Sequence, residues 1–170
     1  MGQHAPLITG KMFILDNVLT DSQVKQILDD DIEYGNYFLQ QKEDIECLIP
    51  LLDEAEKHFD FSKCIGYEVW RQKNPKLGWH KDKDEYLHDQ EKIDRYPICT
   101  LVYYLRVEKI LGGKLLIKDG PSIKPIQNRL VIFGPGIEHA VEEMFTVDGH
   151  RHSIIINPWD CEIGSPWGKG

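Results

Sequence analysis

No apolar run in this chain approaches the ~20 residues a helix needs to cross a bilayer, so no membrane span is expected. Met1–Lys11 lacks the basic start and apolar stretch of a secretory leader, which makes a cytoplasmic protein the expectation. Paired cysteines are also missing. Cys47, Cys64, Cys99 and Cys161 are scattered, with no spacing of the zinc or redox kind, so reduced and mostly buried thiols without a chemical role are expected. Basic residues are outnumbered, 20 against 28 acidic, for a net charge of −8. Acidic runs such as Asp29-Asp30-Asp31 and Asp53-Glu54-Ala55-Glu56 belong on the surface, and the balance argues against a broad face for duplex nucleic acid. No repeat, low-complexity tract or linker divides the chain. Its 170 residues read as one domain, large enough to bury roughly 70% of the unfolded surface.

What is present falls into a helical first third and a strand-rich remainder. Thr20-Asp21-Ser22-Gln23 has the form of a capping box, with Val24, Ile27 and Leu28 following at helical spacing, which predicts a helix from about Asp21 to Asp30. A second apolar stripe runs through Ile45, Ile49, Leu52, Ala55 and Phe59; Pro50 places the start of the regular helix near Leu48. Strands are predicted over Ile65–Lys73, Ile98–Arg106, Lys114–Ile117, Leu130–Phe133 and Arg151–Asn157, with a weaker candidate over Ala140–Val147. The turn residues Gly112-Gly113 and Gly134-Pro135-Gly136 punctuate them. Helices followed by at least six short strands suggest an α+β domain built on a β-barrel or sandwich. The polar stretch Lys83–Arg95 reads as a long loop, either a lid or a solvated excursion.

The chemistry-bearing residues are His80-Lys81-Asp82, His139 and Arg151-His152-Ser153. Two imidazoles and one carboxylate can occupy one face of an iron(II) ion and leave the other open. In a strand, residues two apart point the same way, so His80 and Asp82 can face a common ion. Asp84 shares their parity and rivals Asp82. His139, His150 and His152 compete for the third position; His139 is preferred because Arg151 follows it 12 residues on, whereas at that distance beyond His150 or His152 only Lys169 is left as a basic residue. Glu85 and His88 are read as solvated. Arg151 opens a run that looks buried on both faces, and a guanidinium there needs an anion. A carboxylate held bidentately would satisfy it, with Ser153 adding a hydroxyl on the same face. The plainer reading is an ion pair with Glu138 or Asp160.

Together, His80-x-Asp82, His139 and Arg151-x-Ser153 resemble the iron(II)- and 2-oxoglutarate-dependent dioxygenases, and within them the prolyl 4-hydroxylase group. The resemblance covers roughly residues 65–157. It implies a double-stranded β-helix, a jelly-roll or cupin-like barrel, with core strands over about 65–160 and helical support over about 12–60. His80, Asp82 and His139 would ligate Fe(II). Val102-Tyr103-Tyr104-Leu105 followed by Gly112-Gly113-Lys114-Leu115 is similar to the family's tyrosine-bearing strand and its Gly-Gly successor, which implies that Tyr104 joins Arg151 and Ser153 on the far carboxylate of 2-oxoglutarate. Thr100, Val102 and Tyr104 share one strand face, and Tyr103 points the other way into packing. Two positions depart from the family pattern: Trp70 stands where the group commonly has a tyrosine, and Asn157 where many members carry an aromatic. Nucleic-acid dealkylases of the superfamily carry a second arginine near Asn157, so its absence counts against that branch.

The activity so implied is hydroxylation of a C–H bond with release of succinate and carbon dioxide, using Fe(II), 2-oxoglutarate and dioxygen, with ascorbate as a candidate reductant. A peptidyl residue, proline first, is the leading substrate, with Trp79 and the Lys83–Arg95 segment near the entrance; Trp79 reads equally as packing. A free amino acid or other small molecule is the alternative substrate. A non-catalytic metal- or 2-oxoglutarate-binding module is the alternative from another class.

Overall fold

The computed structural model describes residues 11–164 apart from 31–33, 36–37 and 147. Along them run β1 (Met12–Leu15), α1 (Asp21–Asp29), α2 (Ile49–Glu56), β2 (Gly66–Lys73), β3 (Leu77–His80), α3 (Glu85–Glu91), β4 (Thr100–Glu108), β5 (Leu115–Ile117), β6 (Ser122–Ile123), β7 (Leu130–Phe133), β8 (His139–Val141) and β9 (His150–Trp159). Thr20 caps α1 as its sequence demands: its hydroxyl accepts from the Gln23 N–H at 3.2 Å, and the Gln23 side chain accepts from the Thr20 N–H at 2.9 Å. Two 3₁₀ turns, Lys42–Asp44 and Glu46–Leu48, lead into α2, where Pro50 sits in the first turn and forfeits no helical hydrogen bond.

The strands form two antiparallel sheets, one ordered β1-β7-β4-β9-β2 and the other β3-β8-β5-β6. This is the double-stranded β-helix with flanking helices that the sequence implies. Side-chain alternation splits the core in two. Leu101, Tyr103, Leu105, Leu130, Ile132, Ile154 and Ile156 face the helices and pack with Ile27, Leu48, Leu51, Leu52 and Ala55. Val102, Tyr104, Val131, Phe133 and Ile155 face the other way and meet Leu115, Ile117 and Ile123 of the smaller sheet. The central strands are buried on both faces, which explains why they read as nearly continuous apolar runs.

Several expectations need correction. β3 ends at His80, so Asp82 lies beyond the strand rather than within it. Lys83–Arg95 is not a bare loop; it contains α3, whose N-cap is Asp84, accepting from the Leu87 N–H at 3.0 Å. Reading these polar residues by hydrophobic period missed the helix, because none of its residues is buried and it has no apolar stripe to detect. The weak strand over Ala140–Val147 is confined to His139–Val141, with one further bridge between Gly112 and Met144. Val147, Asp31, Lys169 and all of the Met1–Lys11 reading except Lys11 lie outside the described residues. The four thiols are free, with Cys99 buried and the other three half-buried. Among the described residues, no helix is long and apolar enough to cross a membrane.

One corner holds the turn into β7 in place. Asn128 adopts a positive φ of 64°, its Oδ1 accepts from the Leu19 N–H at 3.1 Å and the Tyr103 hydroxyl at 2.9 Å, and its Nδ2 donates to the Leu19 carbonyl at 2.8 Å. Asn128→Ala leaves three polar groups without these partners and is expected to cost about 2 kcal/mol, measured by urea denaturation.

Candidate metal centre and adjoining cavities

His80 and His139 are cross-strand partners in the β3–β8 pairing, which brings their ring centroids to 4.3 Å. The same local device orients both rings. His80 Nδ1 lies 2.7 Å from the Gly78 carbonyl, and His139 Nδ1 lies 2.9 Å from the Ile137 carbonyl, each two residues earlier in the chain. A carbonyl can only accept, so both Nδ1 atoms carry a proton, and Nε2 is the nitrogen each ring turns toward Asp82. Each Nε2 is 3.6 Å from Asp82 Oδ1. One ligand atom from each of the three residues lies within 4.8 Å of the others. His139 is only 5% exposed, and burial pulls its pKa below the ordinary value, although the Asp82 charge opposes that shift. A neutral imidazole is the form that binds a metal.

The donor set suits iron(II): two imidazole nitrogens and one carboxylate oxygen on one side of a common point, with no thiolate among them. Among the described residues this is the one such cluster. Asp84 is excluded from it by its own hydrogen bonds, since its carboxylate caps α3 and also accepts from the Gly164 N–H at 2.8 Å. His150 and His152 sit apart, with rings 5.6 Å from each other near the other end of β9. Glu85 is exposed, whereas His88, also read as solvated, is half-buried and lies 2.6 Å from Asp94.

Two cavities meet at this cluster, and Trp70, Gln72, His80 and Asp82 line both. The first, of about 40 Å³, runs between the sheets and is bounded by Tyr104, Arg151, Ser153, Leu115, Val141 and Ile155. Strand alternation aims Arg151, Ser153 and Ile155 of β9 into it, along with Thr100, Val102 and Tyr104 of β4. Tyr104 is 3% exposed, and burial pushes its hydroxyl up to about 12, so it is a hydrogen-bond donor at neutral pH. The second cavity, about 190 Å³, opens on the other side against Glu68, Asn157, Trp159 and Ile163, with Lys83, Asp84 and Glu85 at its margin. Glu68 and Gln72 were not singled out from sequence. Their parity with Trp70 along β2 carried the signal, since residues two apart share a face.

Arg151 is the most constrained residue of the first cavity. It is 1% exposed, and neither expected acid pairs with it: Glu138 binds Lys118 at 3.1 Å, and Asp160 is exposed. Its guanidinium instead donates to the backbone carbonyls of Pro75 and Gly113, and to that of Glu142 at 3.3 Å. Gly113 has a φ of +73°, and a Cβ there would stand 2.7 Å from Arg151 Nη1, so glycine is required for this approach. Among the described residues no carboxylate forms an ion pair with the guanidinium, although the more distant Glu142 charge acts on it. Carbonyl dipoles engage three of its five N–H donors but leave its charge, which is the condition for binding an anion.

Asp82→Ala is expected to abolish Mn(II) or Fe(II) binding measured by titration calorimetry. Asp84→Ala is expected to retain it while lowering stability by about 1 kcal/mol through loss of the α3 cap, read by thermal unfolding.

Comparison with known proteins agrees with this geometry. A family model described as the 2OG-Fe(II) oxygenase superfamily matches residues 54–159, more than half of the 170-residue chain. Among solved structures, a Pseudomonas putida prolyl-4-hydroxylase is 19% identical with a TM-score of 0.61, over 93% of this chain and 89% of that one. A Trichoplax adhaerens prolyl hydroxylase, in complex with a hypoxia inducible factor oxygen degradation domain peptide fragment, is 16% identical with a TM-score of 0.53, covering 88% and 83%. A 2OG-Fe(II) oxygenase family oxidoreductase from Burkholderia pseudomallei is 11% identical with a TM-score of 0.58, covering 90% and 86%. At these identities the likeness speaks for the fold. No curated protein matches the chain in sequence.

Proposed function

Since the chain belongs to the 2OG-Fe(II) oxygenase superfamily, we propose that it hydroxylates a residue of a protein or peptide, proline first, through a centre built from His80, Asp82 and His139 with a 2-oxoglutarate anchor of Arg151, Ser153 and Tyr104. Membership makes it a 2-oxoglutarate-dependent dioxygenase that uses Fe(II), 2-oxoglutarate and dioxygen. The observation that carries the residue assignment is the junction itself. Three convergent ligand atoms stand where two cavities meet, and one cavity holds a buried cation with no carboxylate partner among the described residues.

Bound iron and 2-oxoglutarate supply the oxidative chemistry, coupling decarboxylation of the co-substrate to succinate and carbon dioxide with insertion of one oxygen atom of O2 into a substrate C–H bond. The chain's own residues supply position. Backbone carbonyls at Gly78 and Ile137 hold both imidazoles in the tautomer that presents Nε2. Arg151 attracts the distal carboxylate of the co-substrate, and the Ser153 and Tyr104 hydroxyls fix its orientation. Leu115, Val141 and Ile155 make that cavity narrow and apolar between its polar ends, which excludes water from the anchored chain.

The opposite cavity receives the substrate. Its lining mixes aromatic rings, Trp70 and Trp159, with the polar ends of Gln72, Glu68 and Asn157. Exposed aromatics stand beside its lining residues in sequence, Trp79 next to His80 and Tyr86 next to Glu85. They offer the extended contact that a peptide makes and a free amino acid does not. The Trichoplax neighbour was solved with a peptide fragment, which favours the same class here.

Purified protein with Fe(II), 2-oxoglutarate and oxygen is expected to release succinate and to add the mass of one oxygen atom to a proline-containing peptide. Turnover confined to free amino acids would replace the peptide reading, and absence of succinate with every candidate would defeat it. Tyr104→Phe and Ser153→Ala each remove one hydroxyl while leaving the Arg151 braces intact. Each is expected to raise the apparent 2-oxoglutarate constant about ten-fold with metal affinity unchanged, measured by initial rates and Mn(II) titration.

A further inference from the structure

We propose that Thr100 and Asn157 form a buried relay that positions Asp82, tying down one carboxylate oxygen so that the other faces the two imidazoles. The inference rests on the assignment of His80, Asp82 and His139 as iron ligands. Asp82 lies past the end of β3 and so lacks the ladder register that sets His80 against His139. A carboxylate also rotates in a broad torsional well. Some other contact must select the orientation in which Oδ1 is 3.6 Å from both Nε2 atoms.

Thr100 provides it. Its Oγ1 lies 3.0 Å from Asp82 Oδ2 and 2.8 Å from Asn157 Oδ1. Thr100 and Asn157 sit on the neighbouring strands β4 and β9, one step beyond the Leu101–Ile156 pair, and are 2% and 1% exposed. A hydroxyl has one proton and can serve only one of two oxygens. The carboxylate accepts and never donates when ionised, so the proton belongs to Asp82. Turning the Asn157 amide by 180° exchanges two atoms of similar size and places its NH2 against Oγ1, which gives every link a donor. The relay then runs from the Asn157 amide to the Thr100 hydroxyl to Asp82 Oδ2, in one direction and through direct contacts. Asn157 touches no ligand directly; it acts through Thr100 by fixing which way that hydroxyl points.

Thr100 and Asn157 are therefore positioning residues, and their effect is read on metal affinity in the full chain, independently of turnover. Thr100→Val keeps the shape and loses the hydroxyl; it is expected to raise the Mn(II) dissociation constant about ten-fold or more and to shift the visible bands of the Co(II)-loaded protein. Thr100→Ser restores both. Asn157→Ala raises the Mn(II) constant by a smaller factor, and in the Thr100→Val background it adds nothing further, because the link it supports is already gone. Thermal unfolding without metal checks that each variant folds, and Thr100→Ala carries the same expectation if the valine variant does not. A wild-type Mn(II) constant in the folded Thr100 variants overturns the relay while the triad stands. Additive losses in the double variant overturn the assigned route from Asn157. No Mn(II) binding by the unaltered protein defeats the triad assignment, a result distinct from both.

Discussion

A buried guanidinium joins the two sheets of this protein. Arg151 projects from β9 of the larger sheet and donates to carbonyls at Pro75, just before β3, at Gly113, just before β5, and at Glu142, just after β8. Three of the four strands of the smaller sheet are thus fastened at one end to a single side chain. Leaving those N–H groups or carbonyls unpaired in the interior would cost more than most packing contacts contribute, so the arrangement is strongly specified. Because the braces are dipoles and not charges, the cation that organises the barrel also remains available to an acidic ligand.

The candidate metal centre follows from that fastening. With β3 and β8 held in place, their pairing sets His80 opposite His139, and two short backbone contacts orient the rings. The larger sheet contributes on the same side, through the alternate residues of β2, β4 and β9. One wall therefore carries the proposed co-substrate anchor, the cavity proposed for the substrate and the proposed relay from Asn157 through Thr100 to Asp82. Its two cavities differ in polarity because different strand ends line them, although they share Trp70, Gln72, His80 and Asp82.

Legibility in the sequence tracked the strength of local periodicity. α1 was readable from its capping box, and β7 and β9 from apolar runs that burial on both faces demands. The trio His80, Asp82 and His139, which the fold brings together, could be nominated because its order along the chain, with Arg151 and Ser153 following, resembles one family. α3 was not readable, being held by a cap at Asp84 with no buried stripe. The alternative weighed for Arg151, an ion pair with Glu138 or Asp160, is not what the fold provides. The guanidinium's partners are backbone carbonyls, and a sequence of side-chain types carries no trace of which carbonyls will be left without a ladder partner.

By itself the sequence determined the chemistry available: two imidazoles, a carboxylate, a cation and two hydroxyl donors, spaced so that strand alternation could turn them to one side. Its helices and its short apolar runs parted by turns indicated an α+β domain on a β-barrel or sandwich, and the resemblance to one family implied the double-stranded β-helix. Only the tertiary structure decided which acid joins the two imidazoles and which caps a helix. Asp82 and Asp84 have the same side chain and the same parity, and they part because one meets Thr100 while the other meets the α3 backbone and Gly164. The physical reason is that a carboxylate's role is set by the donors around it, and those donors come from strands and loops far away in the chain.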